Sequence, residues 1–338
     1  MLYEVSNNFS KCEPLEPTNL KKLGKQEKDF EELLRLNADI IGDEEETLMI
    51  VGQQVTNTAG GRTDLIAVDN EGNLVLIEIK RDKEDIVHRK EAFEFQAIRY
   101  AASLAAIQDE DEFILKIFAP YVEKHAAEFS DFPSNRDTAD YARRKLHDFF
   151  LQNNVNAFNQ KQRIILFASD YDEQTLSAVA WLCSNHLDIS CCRALPYQQG
   201  DKVLLEIEQI LPLDDYEDYY VSIRDTEPSA GRRERASGRT RQNLPKIDEL
   251  LANGVVHEND ILHAKGKSDE TATLRADGTV VTKEGKVLSM QIWLKQVFGW
   301  SAVQTFAYAV HEPTGKTLFD LRAEYMRKKE AEQSAESV

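Results

Sequence analysis

Apolar and polar positions alternate along this chain with two different periods, and the change of period marks the elements. In KQEKDFEELLRLNADII (25–41), Phe30, Leu33 and Leu34 fall at helical spacing and polar residues fill the other side, which predicts an amphipathic helix. TLMIVGQQV (47–55) reads as extended, and GGRTDLIAVDNEGNLVLIEIKRD, from Gly60 to Asp82, as two apolar strands around a tight turn. Helical spacing returns over 84–107 and again in RDTADYARRKLHDFFLQ (136–152), while FILKIF (113–118) is too short and too apolar to assign. Strand, helix, strand and strand follow at 163–169, 172–186, 188–195 and 202–211, the spacing of an α/β core.

SAGRRERASGRTRQ (229–242) has no apolar periodicity and reads as a flexible, locally basic linker. Beyond it LPKIDELLANGVV opens a second unit. ATLRADGTVVT carries the Asp-Gly signal of a hairpin, and SMQIWLKQVFGW (289–300) predicts a helix ending at Gly299. TFAYAV and KTLFDL read as strands joined by the turn HEPTG, and the tail from Met326 as frayed. The expected organisation is therefore a domain over 1–220, a linker over 221–243, a smaller domain over 244–325 and a tail over 326–338.

Composition narrows the class. A 42% hydrophobic share with 30% charge over 338 residues is that of a soluble globular chain. No run of about 18 apolar residues is present, so no membrane span is expected. The N-terminus lacks a basic start followed by an apolar stretch, which speaks against a secretory signal. Cys12, Cys183, Cys191 and Cys192 form no CxxC pair. Buried free thiols and a reducing cytoplasm are the expectation, rather than a disulfide framework or a zinc site. A formal net charge of −18 argues against coating nucleic acid by bulk electrostatics, but a local basic patch would suffice for phosphate contacts.

The hairpin carries the chemistry. In DNEGN, Gly72 stands where a left-handed residue is wanted, which fits a type I turn followed by a glycine bulge. Asp69 then pairs with Asn73, Val68 with Leu74 and Ile66 with Leu76, and Asp64 comes opposite Glu78. Lys80 shares the face of Glu78. Both strands are apolar on both faces, so they belong in a covered central sheet. Two carboxylates would there stand roughly 4.5–5.5 Å apart at Cβ, a destabilising pair of like charges. A shared proton or a cation relieves it, and two carboxylates completed by water suit Mg²⁺. The competing reading is a salt-bridged hairpin in which Lys80 only neutralises Glu78, and a one-residue slip would move Asp64 off the face.

D-x13-E-x-K on a hairpin after a Glu-bearing helix resembles the PD-(D/E)XK nuclease superfamily. More narrowly, EKDFEELL, GGRTDLIAVDNEGNLVLIEIKRD and QAIRYAA resemble the nuclease domain of NucS-type endonucleases, over roughly residues 25–108. The resemblance implies a restriction-endonuclease-like α/β core, a mixed central sheet flanked by helices. It also implies a Mg²⁺-dependent DNA endonuclease in which Mn²⁺ can substitute. Carried over by position, Asp64 and Glu78 match the metal ligands and Lys80 the motif lysine. Glu31 best matches the upstream glutamate, since Glu32 is turned about 100° away on the helix. Gln96 and Tyr100, four apart on one face, match a pair at the active-site rim. Arg62 is a candidate phosphate contact, and so are Arg81 and Lys83, beside a solvated-surface reading of each. Only about two dozen residues precede the first predicted helix, where NucS-type enzymes carry a DNA-binding domain, so mismatch specificity is not carried over.

The C-terminal segments IDELLANGVV, ATLRADGTVVTKEG, FGW and KTLFDLR are similar to RAMA-type domains, which accompany restriction and DNA-modification proteins. The similarity implies a small α+β domain for DNA recognition and a setting in restriction, defence or repair. Trp300 is a base-stacking candidate, with a core tryptophan as the plainer reading. QIWLKQVF has a faint likeness to a sliding-clamp peptide, but its apolar residues are better explained as the inner face of a helix. Cutting both strands generally takes two sites, so a homodimer would serve, though no residue indicates one. The seven histidines show no metal-ligand spacing, and neither a GxSxG elbow nor a P-loop is present. Two readings follow: a nuclease acting on DNA, with RNA not excluded, or a non-catalytic DNA-binding or adaptor protein on the same fold.

Overall fold

The computed structural model of the chain describes residues 2–82, 85–86, 91–129, 132, 137–212 and 244–336. Its contacts divide the chain into two units, Met1–Leu36 with Ile50–Thr240, and Asn37–Met49 with Arg241–Val338. The stretch Asn37–Met49 thus groups with the C-terminal residues. The basic stretch 221–243, and with it Lys83, lies outside the described residues.

The larger unit opens with an exposed antiparallel hairpin of β1 (Leu2–Val5) and β2 (Cys12–Leu15), which no apolar alternation announced. Helix α1 (Glu27–Leu36) places Glu27 and Asp29 in its first turn and Arg35 in its last, as the helix dipole favours. It stops short of the expected Ile41, and Asp39–Gly42 forms a separate turn.

The central sheet is mixed, in the order β3 (Leu48–Gln53), β4 (Leu65–Asp69), β5 (Leu74–Ile79), β6 (Gln162–Ala168), β7 (Ile189–Gln199) and β8 (Lys202–Leu211). β5, β6 and β7 run parallel, whereas β4 is antiparallel to β5 and β8 to β7. Every residue of β4 and β5 is buried, as expected for strands covered on both faces. Helix α2 (Phe93–Ala105) packs on β6, α3 (Thr138–Asn153) follows, and α4 (Glu173–Ser184) covers β7. Asp137 and Asp172 cap α3 and α4 with carboxylates that accept from the first-turn amides. FILKIF, left unassigned by pattern, is helical: a π-turn at Ile114–Phe118 between Glu110–Phe113 and Ala119–Lys124. The fold class is mixed α/β.

The smaller unit holds an antiparallel sheet in the order β12 (Val287–Leu288), β11 (Val280–Thr282), β10 (Lys267–Leu274), β9 (Ile261–Ala264), β13 (Ala309–His311) and β14 (Lys316–Thr317). Beside the short turns Asp39–Gly42 and Asp43–Glu45, it holds the helices α5 (Ile247–Ala252), α6 (Met290–Phe298), α7 (Thr305–Tyr308) and α8 (Leu318–Glu336). The Asp-Gly hairpin forms, with Gly278 at φ +78. Helix α6 starts at the Ser289 cap and ends at Gly299, φ +70. Met290, Trp293, Leu294 and Phe298 turn into the core, and Ile292 stays exposed.

Two expectations fail here. TFAY is helical, not extended, and LFDL opens α8 instead of continuing a strand; of the two runs only Ala309, Val310 and Lys316–Thr317 remain β. The cause lies at Thr317 and Asp320: the Thr317 hydroxyl accepts from the Asp320 amide at 3.1 Å and donates to its carboxylate at 2.6 Å. That is a helix-starting T-x-x-D box inside a run whose alternation mimics a strand. Helix α8 then continues through Glu336, past the point where fraying was expected. Among the described residues no helix is long and apolar enough to cross a membrane.

Candidate active site

The turn between β4 and β5 forms as its composition dictates. Gly72 sits at φ +83, and the Asp69 carboxylate accepts from the amides of Glu71 and Asn73 at 2.9 Å each. The register pairs Val68 with Leu74, Ile66 with Leu76 and Leu65 with Ile77, so the next step opposes Asp64 to Glu78. Asp64 is 7% exposed, Glu78 1% and Lys80 1%.

Each carboxylate is held. Asp64 Oδ2 accepts from the Ile79 amide at 2.7 Å, and Glu78 Oε1 from Gln96 Nε2 at 2.7 Å. Lys80 Nζ lies 3.6 Å from Glu78 Oε1, 3.8 Å from Asp64 Oδ2 and 3.5 Å from Glu27 Oε1, and donates to the Ile79 carbonyl. The Phe93 ring, 5.4 Å from Nζ, covers the ammonium from another side.

Helix α1 supplies the third carboxylate. Glu31 is 4% exposed and accepts from Gln54 Nε2, whereas Glu32 points to Arg35 at 2.6 Å, as the 100° step between them requires. Gln54 also donates to Asp64 Oδ1 at 3.3 Å, so Glu31 reaches the hairpin through one amide. Burial and the neighbouring Asp64 charge raise the Glu31 carboxyl above the ordinary glutamate range, and the Gln53 and Gln54 amides and the Lys124 charge offset this only in part. A raised carboxyl pKa means the folded chain binds that proton more tightly than the unfolded one. Stability then rises as pH falls through the folded pKa, and the gain is complete below the unfolded value. Glu31→Gln should therefore raise the Tm of the metal-free chain at pH 7, with the gap to wild type closing as pH falls toward the ordinary range. A gap that stays constant with pH would show that Glu31 titrates normally.

Gln96 and Tyr100 link the hairpin to the preceding loop. Gln96 Nε2 also donates to the Tyr100 hydroxyl at 3.2 Å, and that hydroxyl accepts from the Arg62 amide at 3.2 Å. The Gly-Gly of this loop has two separate reasons. Gly60 adopts φ +80, and a Cβ on Gly61 would fall 2.5 Å from Tyr100 Cε1. Gly61→Ala is thus expected to displace Tyr100 and to cost about 1–3 kcal/mol in denaturant unfolding, by overpacking a fixed ring.

The phosphate-contact candidates separate. Arg62 is exposed beside the site. Arg81 is not available in the same way: its Nε lies 3.1 Å from Asp82 and 3.2 Å from Asp85, which take up its charge. Lys83 is outside the described residues. Trp300, in the smaller unit, is a core tryptophan and not an open stacking face. It is 7% exposed, stacked on Phe298 at 4.7 Å and edge-on to Tyr308 at 5.2 Å. Arg322 of the same unit is likewise buried, in a two-pronged pair with Glu45 at 2.6 and 2.9 Å and over the Phe306 ring at 4.3 Å.

Two site residues escaped the sequence reading. Glu27 was legible, one turn before Glu31 on the same face. Gln54 was not, because nothing in QQV marks a residue at φ +56. Among the described residues no three His, Cys, Asp or Glu side chains converge on a metal-holding point. What is present is two facing carboxylates with a third one amide away, an all-oxygen set whose hardness fits Mg²⁺ or Mn²⁺ rather than a thiolate-seeking metal. The chain matches no family model and no curated protein.

Proposed function

We propose that this chain is a divalent-metal-dependent DNA endonuclease of the PD-(D/E)XK type, hydrolysing phosphodiester bonds at the hairpin of β4 and β5. The observation that carries the reading is a cluster of buried carboxylates. Glu31, Asp64 and Glu78 are 4%, 7% and 1% exposed, with the Lys80 ammonium within 4 Å of the last two and the Lys124 charge acting on Glu31. Carboxylates gathered at such low exposure favour taking up a proton or a cation. Asp64 and Glu78 would hold the ion, with Glu31 in support; Mg²⁺ is the expected cofactor and Mn²⁺ its substitute. A bound divalent ion supplies charge neutralisation on the phosphate and makes a nearby water more acidic.

The protein's own groups do the rest. Gln96 fixes the Glu78 carboxylate, and the Ile79 amide fixes that of Asp64. Lys80, aimed between them, is placed to hold a water or a phosphate oxygen by hydrogen bonding. Arg62, exposed on the adjoining loop, is placed to meet a backbone phosphate. The smaller unit is proposed to assist target choice on DNA, in restriction, defence or repair, without Trp300 as a stacking platform.

A second reading has one observation in its favour. Lys80 already lies within 4 Å of both carboxylates, so part of the charge is answered without a metal, as in a non-catalytic DNA-binding protein. A panel of single-stranded, duplex, branched, mismatched and modified DNA, with RNA alongside, separates the two when assayed in Mg²⁺, Mn²⁺ or EDTA. Metal-dependent cutting establishes the nuclease and names its substrate. Binding without cutting throughout leaves the adaptor reading.

A further inference from the structure

Consecutive side chains of a strand point to opposite faces, yet Gln53 and Gln54 both reach helix α1. Gln53 Nε2 donates to Glu32 Oε2 at 3.2 Å, and Gln54 Nε2 donates to Glu31. The alternation is broken by the backbone. Gln54 follows the last residue of β3 with φ +56, a left-handed conformation that favours glycine or asparagine. Its own amide donates to the Asp64 carbonyl at 2.9 Å, so backbone and side chain both bind Gln54 to Asp64.

The consequence for Asp64 is specific. With Oδ2 fixed by the Ile79 amide and Oδ1 by Gln54, the plane of its carboxylate is set from both ends. One amide also holds the Glu31 carboxylate to that of Asp64 across two elements distant in sequence. Gln53, by contrast, has its carbonyl taken by Lys124 at 2.7 Å and His125 at 3.0 Å and makes no hydrogen bond to Asp64 among those of the described residues. Strained non-glycine residues concentrate where a side chain is needed in one place, and here the side chain spans two site carboxylates.

We infer that Gln54 is a positioning residue of the metal site: its amide orients Asp64 and couples Glu31 to it, and the left-handed backbone exists to deliver that amide. The inference rests on the metal-site reading above. Partners of this kind, which orient a ligand without touching the metal, change metal affinity on the order of 10–100-fold when removed.

The test uses the full chain and reads Mn²⁺ affinity by calorimetry, and Tm in EDTA, for wild type, Asp64→Ala, Gln54→Gly and Gln54→Asn. Glycine relieves the backbone and removes the amide, while asparagine tolerates the backbone but falls one methylene short. Both Gln54 variants should keep or raise Tm and bind Mn²⁺ on the order of 10-fold more weakly. Unchanged affinity in both overturns the inference while the metal site stands. A parallel fall of Tm in both assigns Gln54 to the fold and also overturns it. No Mn²⁺ binding by wild type, or binding unaffected by Asp64→Ala, removes the metal-site reading itself and the inference with it.

Discussion

If the chain is the metal-dependent nuclease proposed above, Glu78→Gln should lower its DNA cleavage by about 10³-fold while leaving the metal-free protein folded and at least as stable as wild type. The substitution is nearly isosteric, and its carbonyl can still accept the Gln96 bond that Glu78 Oε1 receives at 2.7 Å. What disappears is one negative charge opposite Asp64, in a site 1% exposed at this position. If that charge holds a cation that stabilises the attacked phosphate by several kcal/mol, its loss lowers kcat/KM by about 10³-fold, at 1.36 kcal/mol per tenfold. Lys80 keeps Glu27 at 3.5 Å and Asp64 at 3.8 Å as partners, so removing one of two facing like charges is neutral or favourable for the apo fold. Activity and stability should therefore move apart, as they do where a site is kept against the interest of the fold. Single-turnover cleavage and thermal unfolding in EDTA measure the two separately. Cutting at the wild-type rate by the variant would sink the assignment of Glu78.

How far the site was legible depended on whether a residue's position followed from local rules. The register was, because Asp69 and Gly72 dictate one turn and that turn fixes every later pair, down to Leu65 against Ile77, one step short of Asp64 and Glu78. The choice of Glu31 over Glu32 needed only the pitch of a helix. Arg81 could have been read more severely, since Asp82 and Asp85 stand beside it in the sequence and pair with it in the fold. Gln54 was out of reach, because its left-handed backbone comes from the requirements of a tertiary site. The same holds for Asn37–Met49, which groups with the C-terminal residues through such pairs as Glu45 with Arg322, 277 positions apart. In the smaller unit, strand-like alternation hid the T-x-x-D cap of α8, although that cap is written in the sequence and is the stronger signal where the two conflict.

Lys80→Met should have the largest effect on stability, and its direction tests the charge argument at its root. Methionine fills a similar volume but leaves Asp64, Glu78 and Glu27 without the ammonium that now lies 3.5–3.8 Å from each. Breaking a buried pair by removing one partner costs about 3–5 kcal/mol, because the remaining charge stays in a poorly solvated place. Against a total of about 5–15 kcal/mol, this is a large fraction. At roughly 2–4 °C per kcal/mol, it predicts a fall in Tm on the order of 10 °C in EDTA at pH 7. Two recoveries should follow. Saturating Mg²⁺ or Mn²⁺ restores part of the loss, since an ion that binds only the folded chain stabilises it by mass action. Adding Glu78→Gln restores part of it without metal, because the second substitution removes one of the stranded carboxylates. The double variant should thus be more stable than Lys80→Met alone, a coupling between neighbours that independent sites do not show. If Lys80→Met leaves Tm unchanged, the carboxylates are at ease without a positive charge among them, and the reason for placing a metal there disappears.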